Sequence, residues 1–283
     1  MHKKLLVSKY TAISQLIYVL LTRTVSIYAR SKKNNCIEKK YIPLSKGKSD
    51  IKISYVSGVA FNFSESHNSQ AFSIASSIAS YLSENWHEDL IVQVFSPGLI
   101  YLEVSDSILA DWLQCLIANR KEEKVEVDSY VLKAGSGGAV MSKFSDCVFS
   151  IQYAHARCCS LLQLAQQEKL IDPNDISSQS IPWLNSHGQL RLNHQAERRL
   201  ICSLVKVVDD LEPVMAGPLK WEAAALGLVQ AFESFWSACR IFGNLKTTSP
   251  ELVMARVGLV MSTQSVLKFL LEDKLGLPAC LVM

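Results

Sequence analysis

The run FSIQYAHARCCSLLQLA, residues 149–165, concentrates side chains that can do chemistry. Tyr153, His155 and Arg157 stand at alternate positions, and Cys158 and Cys159 follow directly. Those types are compatible with three chemistries. His155 and Cys159, four apart, share a helix face, and His187, His194 or Cys202 would complete a zinc set. A Cys–His pair at 155/158 or 155/159 would make a nucleophile and its base, although such a pair needs a third group to orient the imidazole. The sequence nominates none. In the third, Tyr153 stacks on a nucleotide base while His155 and Arg157 meet phosphates. The spacing does not require a metal, and a cysteine on an apolar face ordinarily packs as a small hydrophobe.

Elsewhere the chemical signals are thinner. KAGSGGAVMSKF (133–144) carries glycines but lacks the Gly-Lys-Ser/Thr ending with which a phosphate-binding loop closes. Its Met141-Ser142-Lys143 is similar to the nucleotide-binding lysine loop of class I aminoacyl-tRNA synthetases. However, Val140 stands where that loop begins with Lys, and the chain has no His-x-Gly-His segment. Residues 133–144 therefore read as a linker. The paired carboxylates Glu122/Glu123 and Asp209/Asp210 fall at a loop and a helix end, where solvated charge is expected.

The elements that would position these residues follow from periodicity. IKISYV (51–56), LIVQVF (90–95) and LIYLEV (99–104) read as strands, with a Ser96-Pro97-Gly98 turn between the last two. KVEVDSYVLKA (124–134) alternates as a strand should. NSQAFSIASSIASYL (68–82) reads as a helix, and Asp106 as the N-cap of another. After the Gly135–Gly138 break every strong signal is helical. Ile151, Ala154, Cys158, Leu161, Leu162 and Ala165 share one face. A second helix is expected after Asn193 as its cap, a third from Pro218, and a fourth from Ser249-Pro250 to a stop at Gly276.

The composition, with 49% hydrophobic and 19% charged residues among 283, supports a buried core and excludes extensive disorder. The net charge of +3 conceals an asymmetry. Residues 1–48 hold 11 Lys and Arg against one acidic residue, Glu38, leaving 18 basic and 25 acidic side chains in the remainder. A basic arm on a mildly acidic body suits a polyanionic partner. Eight cysteines without a Cys-x-x-Cys pair imply a reducing compartment, the cytoplasm, and no disulfides. Tyr10–Ala29 is interrupted by Ser14, Gln15, Thr22, Arg23, Thr24 and Ser26, so it reads as an amphipathic helix and no transmembrane segment is expected.

The opening run resembles the start of the DALR anticodon-binding bundle of arginyl-tRNA synthetases, where a Tyr-x-Gln-Tyr-Ala-His-Ala-Arg-type segment enters the first helix. HQAERRLICSLVKVVDDLEP (194–213), AAALGLVQAFESFWSACRIF (223–242) and ARVGLVMSTQSVLKFLLEDKLGLPACLVM (255–283) are similar to the helices that follow. More faintly, VQVFSPGLIYLEVSDSILADWL (92–113) resembles the end of that family's N-terminal additional domain, with Leu99 in the place of an aromatic and Tyr101 in that of Asn.

The resemblance implies an α+β chain: a basic helix and linker (1–48), a small N-terminal α/β domain (49–134), and an all-α helical bundle of DALR type (146–283). The synthetases place a nucleotide-binding catalytic domain between the two parts. Here about thirty residues, 114–145, join them, against the ~100 or more that a doubly wound domain needs. The implied function is therefore a non-catalytic protein that binds tRNA or other structured RNA, without cofactor. Its RNA-facing candidates are Tyr153, His155, Arg157, Arg191, Arg198, Arg199, Tyr101 and Met283. No DNA is expected. Two alternatives stand beside it: a role in arginyl-tRNA formation, which would require ATP, and a scaffold with a protein partner. The second draws on the near-neutral charge of residues 146–283, 12 basic against 13 acidic.

Overall fold

Four strands, β1 (Ser45–Lys46), β2 (Ser54–Ser57), β3 (Leu90–Phe95) and β4 (Leu99–Val104), form one antiparallel sheet in the order β1-β2-β4-β3. They belong to a computed structural model of the chain, which describes residues 11–31, 42–64, 68–118, 140–171, 180–211 and 221–282. The segments read as the 124–134 strand and the 135–138 break lie outside the described residues, as do Pro218 and Met283.

The alternation in LIVQVF and LIYLEV sorts the sheet into two faces. β3 and β4 pair from Leu90 opposite Val104 to Phe95 opposite Leu99. Tyr55, Leu90, Ile100, Leu102 and Val104 are buried, while Ile91, Gln93 and Phe95 are exposed on the other side. The buried face lies under α2 (Asn68–Trp86), whose Ala71, Ala75, Ile78 and Leu82 point inward. Gly98 fits here because a Cβ would come within 2.9 Å of Ala71. The 51–56 strand is shorter and later than its residues suggest, beginning at Ser54.

The described residues divide into two compact units that alternate along the chain, one drawn from Met1–Trp112 and Trp183–Leu219, the other from Leu113–Pro182 and Lys220–Met283. In the first, α1 (Ile13–Ser31) packs on α2 and on α5 (Gln195–Asp209). Ile13, Ile17, Leu20, Leu21, Thr24 and Val25 are buried, so the helix expected in a separate basic arm is a core element. α5 turns Leu200, Ile201, Leu204, Val205 and Val208 inward. Its N-cap is His194 rather than Asn193. The imidazole accepts from Ala196 N–H, and the Glu197 carboxylate accepts from His194 N–H at 2.8 Å. Similarly, α3 (Asp106–Ala118) starts at Asp106 and not after it. The residue before its first turn is Ser105, whose hydroxyl meets Ile108 N–H at 3.5 Å.

The second unit is helical. α4 (Val140–Gln167) is in contact with α6 (Trp221–Ala238) and α8 (Pro250–Phe269), and a short α7 (Leu245–Thr248) precedes α8. α4 begins at Val140, so 140–144 are helix where a linker was expected. A wider turn, Leu270–Lys274, extends α8, and Gly276 follows at φ +64. α8 is buried on nearly every side from Val257 to Leu267. Pro250–Lys274 is the one helix among the described residues long and apolar enough to cross a membrane, and 72% of its apolar window is buried within the structure.

Candidate nucleic-acid interface

In the second unit the same types recur at a spacing of four: Phe149-Tyr153-Arg157 on α4, and Phe232-Trp236 on α6 with Arg240 two residues past its end. Residues four apart lie on one helix face, so Phe149, Tyr153 and Arg157 share a face of α4, and Phe232 and Trp236 share a face of α6. Tyr153 and Arg157 from α4, Phe232 and Trp236 from α6, and Arg240 and Phe242 beyond it line a concavity of about 680 Å³. Phe149 and Tyr153 are both exposed, at 57% and 43%, and their rings lie nearly parallel, 16° apart with centroids 6.1 Å apart. Phe232 is fully buried and anchors α6, whereas Trp236 is half-buried.

Arg157 joins the walls. Its guanidinium carbon stands 5.0 Å over the Trp236 ring, and its Nη1 donates to the Tyr153 hydroxyl at 3.2 Å. Arg240 is exposed, and its carbonyl accepts from Arg256 Nη1. Glu233 is the single carboxylate along the lining. Aromatic faces beside guanidinium groups suit unpaired bases and their phosphates.

His155, expected to face RNA, is instead fully buried. Its Nδ1 is 2.9 Å from the Cys280 carbonyl, and its Nε2 is 2.8 Å from the Gln264 side-chain nitrogen. A carbonyl can only accept and an amide nitrogen can only donate, so Nδ1 carries the proton and Nε2 accepts. Gln152, one turn earlier, donates to the Pro278 carbonyl at 3.0 Å. Together they hold the 275–282 segment on α4. An imidazole engaged at both nitrogens is not a free base for Cys158 or Cys159. Among the described residues no group of three His, Cys, Asp or Glu is placed to hold a metal ion.

The remaining sequence candidates lie in the first unit. Arg198 grips the Asp106 carboxylate with both terminal nitrogens, at 2.7 and 3.1 Å. Half-burial pushes the Asp106 carboxyl upward, but the Arg198 hydrogen bonds, the Leu190 N–H and the Arg198 charge hold it below its ordinary value. Arg199 pairs with Asp50 at 2.7 Å on the surface. Arg191 is half-buried, and its N–H donates to the Trp183 carbonyl. The Tyr101 hydroxyl lies 3.3 Å from a Glu103 oxygen, its ring edge-on to Phe95. Met283 is outside the described residues.

Asp209, expected as solvated charge, is 1% exposed. Its Oδ1 accepts from Ser14 N–H at 3.0 Å and its Oδ2 from the Tyr55 hydroxyl at 2.5 Å, with Lys46 Nζ at 3.9 Å. Burial pushes the Asp209 carboxyl up, against the pull of Lys46 and these hydrogen bonds. Burial likewise pushes Tyr55 far up and Lys46 down, and carries the Cys202 thiol to about 11. The cluster ties α1, β1, β2 and α5 together.

Residues 151–283 match the DALR anticodon binding domain. Among curated proteins, the arginine–tRNA ligase of Synechococcus sp. (strain JA-3-3Ab) is 33% identical over 144 residues, covering 50% of this chain and 23% of the ligase. That of Gloeobacter violaceus is 32% identical over 132 residues, covering 46% and 21%. That of Pelodictyon phaeoclathratiforme is 34% identical over 123 residues, covering 43% and 20%. The chain thus spans less than a quarter of the length of these relatives. No solved structure matches it.

Proposed function

With a DALR anticodon binding domain over residues 151–283 as the premise, we propose that this chain binds tRNA, or a structured RNA like it, in the cytoplasm and without aminoacylating it. The observation that carries this reading is the concavity lined by Tyr153 and Arg157 of α4, Trp236 of α6 and Arg240 just past its end, all within the matched segment. The concavity offers stacking surface to an unpaired base, and Arg157 and Arg240 line it with positive charge in a domain (146–283) whose 12 basic and 13 acidic residues nearly balance. No cofactor enters this reading. The ~30 residues that separate the two resembling parts leave no room for a doubly wound nucleotide domain of ~100 residues or more.

The test is a mobility shift with unfractionated tRNA across a salt series. Binding at about 50 mM salt that falls off steeply by about 200 mM is expected, because each phosphate contact releases condensed counterions. No shift at the lower salt, or arginylation of tRNA by the chain with arginine and ATP, overturns the proposal. The near balance of 12 basic and 13 acidic residues over 146–283 favours a second reading, a protein-binding scaffold. That reading expects a partner whose recovery survives nuclease.

A further inference from the structure

Arg157 touches both walls of the concavity. Its guanidinium faces the Trp236 ring of α6 at 5.0 Å and donates to the Tyr153 hydroxyl of α4 at 3.2 Å. A planar guanidinium in this position holds two aromatic side chains from different helices in one arrangement. The same two contacts take up the face and one donor edge of the group.

We infer that Arg157 is a positioning residue: it presets Tyr153 and Trp236 as a rigid platform for an unpaired RNA base, and is not itself a phosphate contact. This rests on the RNA-binding reading above and specifies which residue organises the site. Three features favour it over a direct ionic role. Arg157 is half-buried, whereas Arg240 beside it is exposed. Its charge already lies over an aromatic face, where the ring quadrupole attracts it. Moreover, no carboxylate is needed to hold it, because Trp236 and Tyr153 do so. A platform preset before the ligand arrives lowers the ordering cost of binding.

Phosphate contact and positioning leave different signatures. Removing a phosphate contact lowers the magnitude of the slope of log K against log salt by about 0.7–0.9, and Lys restores it. Removing a positioning guanidinium weakens binding while the slope stays as it was, and Lys, which lacks the planar fork, does not restore it.

The experiment measures unfractionated tRNA binding over a salt series for the full chain and for Arg157→Ala, Arg157→Lys, Trp236→Ala and the double variant Arg157→Ala/Trp236→Ala. Circular dichroism melting establishes that each variant is folded. Both Arg157 variants are expected to weaken binding about 5- to 20-fold, of the size that one base–aromatic stack contributes, with unchanged slope. Because Arg157 acts through Tyr153 and Trp236, the double variant is expected to lose less than the sum of the two single losses. A reduced slope with rescue by Lys overturns the inference, as do additive losses in the double variant or an Arg157→Ala that binds like the unaltered chain. If the unaltered chain binds no tRNA, the RNA-binding reading fails first and takes this inference with it.

Discussion

A carboxylate taken out of water costs several kcal/mol unless donors replace the lost solvent. At Asp209 those donors are Ser14 N–H and the Tyr55 hydroxyl, with Lys46 as the facing charge. Tyr55→Phe removes one donor and leaves the carboxylate buried, so it is expected to destabilise the chain by about 2 kcal/mol in urea unfolding, as for hydrogen bonds to charged groups. The direction of the Asp209 shift also sets a pH dependence. Its folded value is raised by burial, so its contribution to stability is complete below the ordinary carboxylate value of ~3.9 and is lost as pH climbs through the folded value. Lys46 runs the opposite way. Burial depresses it, so its contribution is present above ~10.4 and is lost as pH falls through the folded value. The unfolding free energy of the unaltered chain relative to Asp209→Asn is therefore expected to decline as pH rises above ~4. A flat difference would show that the carboxylate titrates in the folded chain as it does in water.

At the scale of elements, α5 depends on its start as much as on its apolar face. The His194 imidazole accepts from Ala196 N–H and the Glu197 carboxylate from His194 N–H, and Glu197 is 1% exposed, so the acceptor that closes the cap is out of water. Glu197→Ala is expected to cost about 1 kcal/mol, the usual size of a lost cap. Glu197→Gln keeps an acceptor and should recover most of it, as read from urea midpoints. Sequence reading placed this helix correctly but chose Asn193 as its cap. Asn is a preferred capping type, whereas the reciprocal bond between His194 and Glu197 is visible only once both are folded. The strands LIVQVF and LIYLEV were legible to the residue because alternation and a Pro-Gly turn are local signals. His155 was not. A histidine between an aromatic and an arginine reads as a surface group, and its burial follows from Gln264 and the Cys280 carbonyl, more than 100 residues away. Trp236 and Arg240 were legible in principle, since their four-residue spacing repeats that of Tyr153 and Arg157. The repeat becomes meaningful only when α4 and α6 are known to be adjacent.

At the scale of the whole molecule, chain order and compact units diverge. The boundary expected at residues 134–146 would leave α5 with the C-terminal bundle, and the matched domain spans it too. Nevertheless, residues 183–219 form one compact unit with the N-terminal part of the chain, where α5 packs on α1. Ser14 N–H and Tyr55 both reach Asp209 at its end. Periodicity reports which face of α5 is apolar but not which element covers it, so the pairing with α1 had no signature in the local pattern. A fragment beginning at Val140 would remove α1 and the whole sheet. Leu200, Leu204, Val205 and Val208 would then lose the elements that bury them, and Asp209 would lose Ser14, Tyr55 and Lys46. Each large aliphatic side chain so exposed forfeits about 1.5–3 kcal/mol. In hydrogen exchange, amides of α5 are expected to be strongly protected in the full chain and to exchange freely in the 140–283 fragment, while amides of α4, α6 and α8 keep much of their protection. Equal protection of α5 in both would mean that the C-terminal half buries this helix unaided, and that the division into units is one of contact density and not of folding.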